Sequence, residues 1–246
     1  MILSEQKQQR RNRLSIIKML DTEGDEMALS EHIEEFSLST LLCFSNVKDI
    51  VKVFQAPAIG VKFLQFAPGE YFFASFKIAL FSGILISSPI ILYQVLLYLI
   101  PGLTKNERNI ILPVSLGSGV LFFCGLLFSY FFLVPAALNF FISYGSEVVE
   151  PFWSFDQYFD FIAVLMFATG LSFQVPAIQV VLGLLGIVSG KTMLSYWKYV
   201  IVSCTIIAAI ITPSTDPITQ LLMSTALLTL YLGGSGFVIL LKKEVL

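Results

Sequence analysis

Residues 88–113 read SPIILYQVLLYLIPGLTKNERNIILP. An apolar run arrives at Pro101-Gly102, turns through Thr104-Lys105-Asn106-Glu107-Arg108-Asn109, and leaves as a second apolar run. Flanks of this length and composition are stable only in lipid, and the turn between them sets a carboxylate beside a guanidinium. The stretch reads as a polar hairpin tip pinned to one face of a membrane, poised to read something that arrives from solution.

Composition supports the membrane. Hydrophobic residues make up 56% of the 246 and charged residues 13%, with a mean hydropathy of +0.83, whereas a soluble domain carries about 25% charged residues. The apolar runs are continuous rather than alternating, which points to helices and not to a closed barrel. The expected fold class is an all-α integral membrane protein. Cys43, Cys124 and Cys204 are far apart, no CxxC pattern is present, and His32 is the single histidine. No metal site, disulfide framework or Ser-His chemistry is expected on this material, and no cofactor. No basic stripe interleaved with aromatics appears, so no nucleic-acid partner is expected.

Outward from the hairpin, residues 1–27 form a polar tail, with Lys7, Arg10, Arg11, Arg13 and Lys18 followed by Asp21, Glu23, Asp25 and Glu26. With no apolar core it is no secretory signal and reads as a disordered tail, Met27 being an alternative start. Residues 28–246 are read as the transmembrane domain. Leu29, Ile33 and Phe36 share one face of a short amphipathic helix, with Ser30 as N-cap and Glu34 and Glu35 directed to headgroups or water. The residual first helix at about 36–46 has an apolar stretch, 37–44, too short to cross alone, since its eight residues cover about 12 Å of a core about 30 Å thick. Further spans are expected at about 76–100, 111–134, 157–181, 198–211 and 218–236. Lys77 is expected to snorkel, Pro135 to close the second long span, and Gly117 and Gly119 to admit a neighbouring helix. Loops 101–110 and 183–198 and the C-terminus hold Lys or Arg while loops 136–156 and 212–217 hold none, which places the first set on the cytoplasmic or stromal side. The lysines at 48, 52 and 62 fit that pattern poorly.

Four features have the residues to do something chemical. Leu185–Thr192 looks like a phosphate loop but lacks the first glycine and lies between two membrane spans, so Gly190-Lys191 is read as a turn. Gln174, followed by Val175-Pro176, either joins two helices through its amide or lines a groove. Asp216 is either an N-cap with Pro217 at the first helical position or a functional acid buried in the membrane. Glu107, Arg108, Glu34 and Glu35 on one inner surface are either solvated polar residues or an acidic cluster awaiting a basic peptide.

The blocks FLQFAPGEYFFASFKIALFSG, SSPIILYQV, PGLTKNER, PAALNFF, SFDQYFDF, GLSFQVP and TPSTDPITQ occur in one order and resemble the TatC family, most closely its plastid and cyanobacterial branch. The resemblance runs from about Met27 to the end. It implies up to six transmembrane helices forming a concave cup, with both termini on the stromal side. The function it implies is that of a twin-arginine signal-peptide receptor and core component of the Sec-independent translocase. Such a translocase moves folded proteins across the thylakoid or an equivalent membrane using the proton gradient, and the receptor is not an enzyme. Implied partners are TatA-type and TatB-type single-span subunits, the signal peptides, membrane lipid and further copies of the chain within a larger complex. Carried over by motif, Glu35 and Glu107 face the signal's arginines, with Glu34, Arg108, Tyr98 and Leu103 beside them. Gln174 and Asp216 are the polar residues of the later spans. The chain departs from the family pattern at Ser37 and Asn109, where arginines are usual, and at Gln174, where many bacterial relatives carry glutamate. Its first membrane helix is also shortened. A small-molecule secondary transporter and a truncated, non-functional relative are the competing readings.

Overall fold

A computed structural model describes residues 34, 36–58, 61–98, 105–145, 152–212 and 216–244, with side chains at all of these except 93–98, 105–112 and 242–244. The tail 1–27, Glu35 and Leu103 therefore lie outside the described residues. The fold is an all-α bundle with one short strand pair. Among the described residues, four helical stretches are long and apolar enough to cross a membrane: Glu70–Leu92, Pro113–Gly145, Phe155–Leu184 and Pro217–Leu241. Two apolar helices are shorter, α1 (Phe36–Ser45) and α9 (Trp197–Ile211).

The central hairpin is α3 (Glu70–Tyr98) and α4 (Lys105–Phe128). The α3 helix survives Pro89 because the Leu85 carbonyl, which Pro89 has no N–H to reach, accepts the Ser88 hydroxyl at 2.7 Å. Ser75 and Ser87 likewise donate to carbonyls four residues back, so three of the α3 serines satisfy their hydroxyls within the helix, whereas the buried Ser82 hydroxyl has no partner. Beyond α4 the chain does not stop at Pro135. Residues Ser129–Leu133 widen into a π-helical turn and the helix resumes as α5 (Val134–Gly145). An extra residue in the turn relaxes the ladder where proline would otherwise break it.

The close helix approach lies elsewhere than expected. A Cβ at Gly125 would meet Gly170 Cα at 3.0 Å, and one at Gly170 would meet Phe122 at 2.8 Å. This seam packs α4 on α6 (Phe155–Ser172). Gly119 does face a neighbour, with Pro89 Cβ 3.3 Å from where its own would stand, but nothing lies within 4 Å of a Cβ at Gly117.

At one end of the bundle, β1 (Lys62–Leu64) and β2 (Phe152–Ser154) pair in parallel, Phe63 opposite Trp153. Glu70 fastens this clasp. One carboxylate oxygen accepts the Phe66 and Ala67 N–H groups at 2.6 and 3.2 Å, and the other accepts the Ser154 hydroxyl at 3.0 Å and the Asp156 N–H at 3.4 Å. The amphipathic α2 (Val47–Gln55) lies against it with Val51 and Phe54 buried. Its orphan C-terminal carbonyls are taken by tyrosines: Tyr130 donates to Val53 and Tyr158 to Phe54, each at 2.8 Å. Lys77 does not simply snorkel. Its ammonium bonds Asp156 at 2.8 Å and Asp160 at 3.0 Å, two acids one turn apart on α6.

The opposite end carries the α3–α4 tip, the end of α7 (Val175–Leu184), α8 (Gly190–Ser195) and the end of α10 (Pro217–Glu244). The stretch resembling a phosphate loop is a helix end followed by a helix start. Gly186 at φ +69° closes α7, with the Ile187 N–H donating to the Leu182 carbonyl at 3.1 Å. Ser189 caps α8 by accepting the Thr192 N–H at 3.2 Å.

Candidate functional site

Pro113, six positions after Glu107 on α4, stands at the mouth of a groove of about 310 Å³ between α4, α7 and α10. Val114, Gly117 and Leu121 form one wall, Ala177 and Val180 the second, Phe237 and Leu241 the third. The open space at Gly117 belongs to this groove, since a larger residue there would fill it. The lining is almost wholly apolar, and the volume lies at the low end of the range for ligand pockets, enough for one or two large aliphatic side chains.

Ser118 adds the polar atom of the groove's lining, and behind it stands Gln174, 6% exposed at the break between α6 and α7. The Gln174 amide N–H donates to the Ser118 carbonyl at 3.1 Å and its oxygen accepts the Ser118 hydroxyl at 2.6 Å. Pro176 in the first turn of α7 produces the break, and Gln174 sits where the helix changes register. Of the two sequence alternatives the structure shows the first: the amide joins α6–α7 to α4, while the groove's lining holds Ser118 but not Gln174. Among the described residues, no group of three His, Cys, Asp or Glu side chains could hold a metal ion.

The tip of the hairpin lies next to the groove's mouth. Tyr98 is the last residue of α3, and Glu107 and Arg108 fall in the first turn of α4. On the α4 backbone Glu107 is about 9 Å from Pro113 along the helix axis.

Glu34 lies at a different level. α1 runs antiparallel to α3 and meets it at Gly83, where a Cβ would collide with Thr40, whose Cα would lie 3.1 Å away. Ser39 donates to the Gly83 carbonyl at 3.3 Å. Glu34, five positions before Ser39, is therefore about 8 Å further toward the tip, level with Ser88. Pro89 in turn faces Gly119, and Glu107 is twelve positions beyond Gly119, about 18 Å along the axis. The register of the short first helix thus sets the exposed Glu34 well back from Glu107 in depth.

Asp216 is fully buried and caps α10. It accepts the Thr219 N–H at 2.8 Å and the Thr219 hydroxyl at 2.6 Å, with Pro217 opening the helix. It is not close to Gln174. Gly234 packs against Pro176, whose Cα would be 2.9 Å from a Cβ there, and Gly234 lies about 26 Å along α10 from Pro217. Sequence reasoning missed the groove, because three helices that meet only in the fold supply its walls. It also missed the Asp156–Asp160 pair facing Lys77; their i, i+4 spacing beside a lone intramembrane lysine was the available signal.

Three comparisons bear on the chain. The family model described as Sec-independent protein translocase protein (TatC) matches residues 33–225. A TatC-like protein of Guillardia theta is 58% identical over 228 residues, which is 88% of this chain and 79% of that one. The chloroplastic Sec-independent protein translocase protein TATC of Pisum sativum is 52% identical over 234 residues, 90% of this chain and 66% of the pea protein. Among solved structures, the crystal structure of the twin arginine translocase receptor TatC in DDM superposes with a TM-score of 0.74 at 33% identity, covering 86% of this chain and 96% of that one.

Proposed function

This chain belongs to the TatC family of Sec-independent protein translocases, and we propose that it is a multi-pass membrane receptor of a plastid. It takes the twin-arginine signal of a folded protein and starts its passage across the thylakoid membrane on the proton gradient. The observation that carries the reading is the apolar groove beginning about 9 Å along α4 from Glu107. An acid beside an apolar slot suits a peptide whose arginines precede an apolar segment. Glu107 is the arginine-facing acid, since a planar guanidinium fork matches a carboxylate better than an ammonium does. Arg108, Tyr98 and Leu103 flank it, and the apolar part of the signal enters the groove toward Ser118. Glu34, set back by the shortened α1, acts with Glu35 on a later part of the signal or on its approach. The receptor reads and delivers, and no covalent step is assigned to it.

The tip end faces the stroma in this reading. Lys105 and Arg108, Lys191 and Lys198, and Lys242 and Lys243 gather there, while the stretches 136–156 and 212–217 carry no Lys or Arg. TatA-type and TatB-type single-span subunits and further copies of the chain complete the translocase, with Gln174 and Asp216 holding the helices they pack against.

Photo-crosslinking tests the reading. A probe at each position from 98 to 108, in native membranes, should capture a twin-arginine precursor far more strongly than its twin-lysine counterpart. Equal capture of the two, or none of either, would overturn it.

A further inference from the structure

The family match begins at residue 33, and the receptor reading makes no use of the residues before it. Those residues hold a tandem arginine, Arg10-Arg11, followed by Leu14, Ile16, Ile17, Met19 and Leu20. An arginine pair and then an apolar segment is the order in which the candidate site presents its own parts, Glu107 first and the groove behind it. We propose that residues 10–20 of this chain dock at Glu107 and in the α4–α7–α10 groove as an internal competitor of the signal peptide. The empty receptor is then occupied by its own tail. The inference rests on the receptor reading of that groove and adds a regulator to it.

Reach and affinity permit the docking. Residues 12–33 separate Arg11 from Glu34, and as a flexible coil of that length they span about 25 Å on average and up to about 70 Å when extended. The depth to be covered from Glu34 to Glu107 is about 18 Å. The tail carries five basic residues within its first twenty positions, and the tip sets Glu107 between Lys105 and Arg108, so the docking is the specific pairing of an arginine fork with that one carboxylate and not an attraction between opposite net charges. Its apolar stretch is interrupted by Ser15 and Lys18, where a secretory signal offers an unbroken run of about 7–15 apolar residues. The tail is therefore the weaker ligand of the two, as a competitor must be if a true signal is to displace it.

Tethering compensates for that weakness. At an effective concentration of about 1 mM, a tail that binds with a Kd of only about 100 µM is docked roughly nine-tenths of the time. Its removal lowers the apparent Kd for an added signal peptide about tenfold.

The test uses the full chain in lipid nanodiscs and a fluorescent twin-arginine signal peptide. The double substitution Arg10→Gln/Arg11→Gln touches no described element, and it should tighten peptide binding about tenfold. A photo-crosslinker in place of Val114 should capture the tail when no peptide is present and lose it when peptide is added in excess. Glu107→Ala should weaken peptide binding in both backgrounds. If Glu107→Ala weakens binding while the arginine substitution changes nothing and Val114 captures no tail, the internal competitor is overturned and the receptor stands. If Glu107→Ala leaves peptide binding unchanged, the receptor reading falls and the competitor with it.

Discussion

Gln174 and Ser118 bond each other twice, side-chain amide to backbone carbonyl at 3.1 Å and hydroxyl to side-chain carbonyl at 2.6 Å. The two bonds cross from the α6–α7 break to α4, so this polar link under the groove also helps to fix the spacing of two of its walls. Ser118→Ala leaves the buried Gln174 oxygen without a donor and should cost about 1–2 kcal/mol. Gln174→Leu should cost less, because the freed hydroxyl can turn to a carbonyl of its own helix. A double-mutant cycle followed by detergent unfolding should give a coupling of about 0.6–1.7 kcal/mol; zero coupling would mean that the link carries no energy.

Gly117 offers a test of the groove that does not touch the fold. A Cβ there meets nothing within 4 Å, so Gly117→Leu should leave unfolding unchanged or slightly stabilised by helix propensity, by about 1 kcal/mol at most. The same substitution fills the slot, and signal-peptide affinity should fall about tenfold or more, read by fluorescence anisotropy. Undiminished affinity would place the apolar part of the signal elsewhere.

Gly83 governs how α1 sits. Gly83→Val would press on the Thr40 backbone and should cost about 1–3 kcal/mol through overpacking. Cysteine labelling reads the consequence. Cys43, on α1, is buried, as is Cys204, whereas Cys124 is exposed. A thiol in lipid stays protonated and inert, so labelling follows opening to water: a maleimide should modify Cys43 at a lower denaturant concentration in the variant than in the parent protein.

Lys77 holds two carboxylates at once. All three groups are at least one-third exposed, and Asp160 more than half, so each pair is worth under about 1 kcal/mol. Lys77→Met should lower thermal stability modestly at about 10 mM salt, and the loss should shrink at about 1 M. Adding Asp156→Asn/Asp160→Asn should return part of the loss by removing the like charges one turn apart.

Asp216 separates cap from charge. Asp216→Asn keeps an oxygen for the Thr219 N–H and should cost little, while Asp216→Ala should cost about 1–2 kcal/mol. If transport fails in the asparagine variant at unchanged stability, the carboxylate has a role beyond opening α10.

The α3–α4 hairpin was legible because about thirty apolar residues interrupted by one polar turn admit few structures, and the position of Glu107 at the tip follows from that turn alone. Gln174 stood out for the same reason, as an amide in an apolar run. What stayed hidden depends on residues distant in sequence. Lys77 looked like a snorkelling lysine because Asp156 and Asp160 lie 79 and 83 positions away. The helix-approach glycines were placed at 117 and 119, although Gly117 is open and Gly125 meets Gly170, because pairing depends on which helix faces which. Pro135 read as a stop, since a π-helical turn leaves no composition signal. Three-residue strands are too short for any periodicity to reveal.

The parallel strand pair has a consequence in time. Phe63 and Trp153 are partners, yet the ribosome makes one ninety residues before the other. At about 5–20 residues per second that is a wait of roughly 5–20 s. Throughout it, β1 has no neighbour and Glu70 holds only the two N–H groups of its own loop. The arrival of Ser154 and Asp156 completes that carboxylate's set and closes α3, α4 and α5 into one loop. The clasp therefore cannot close until α6 begins, and the docking of β1 against this half of the bundle waits for it.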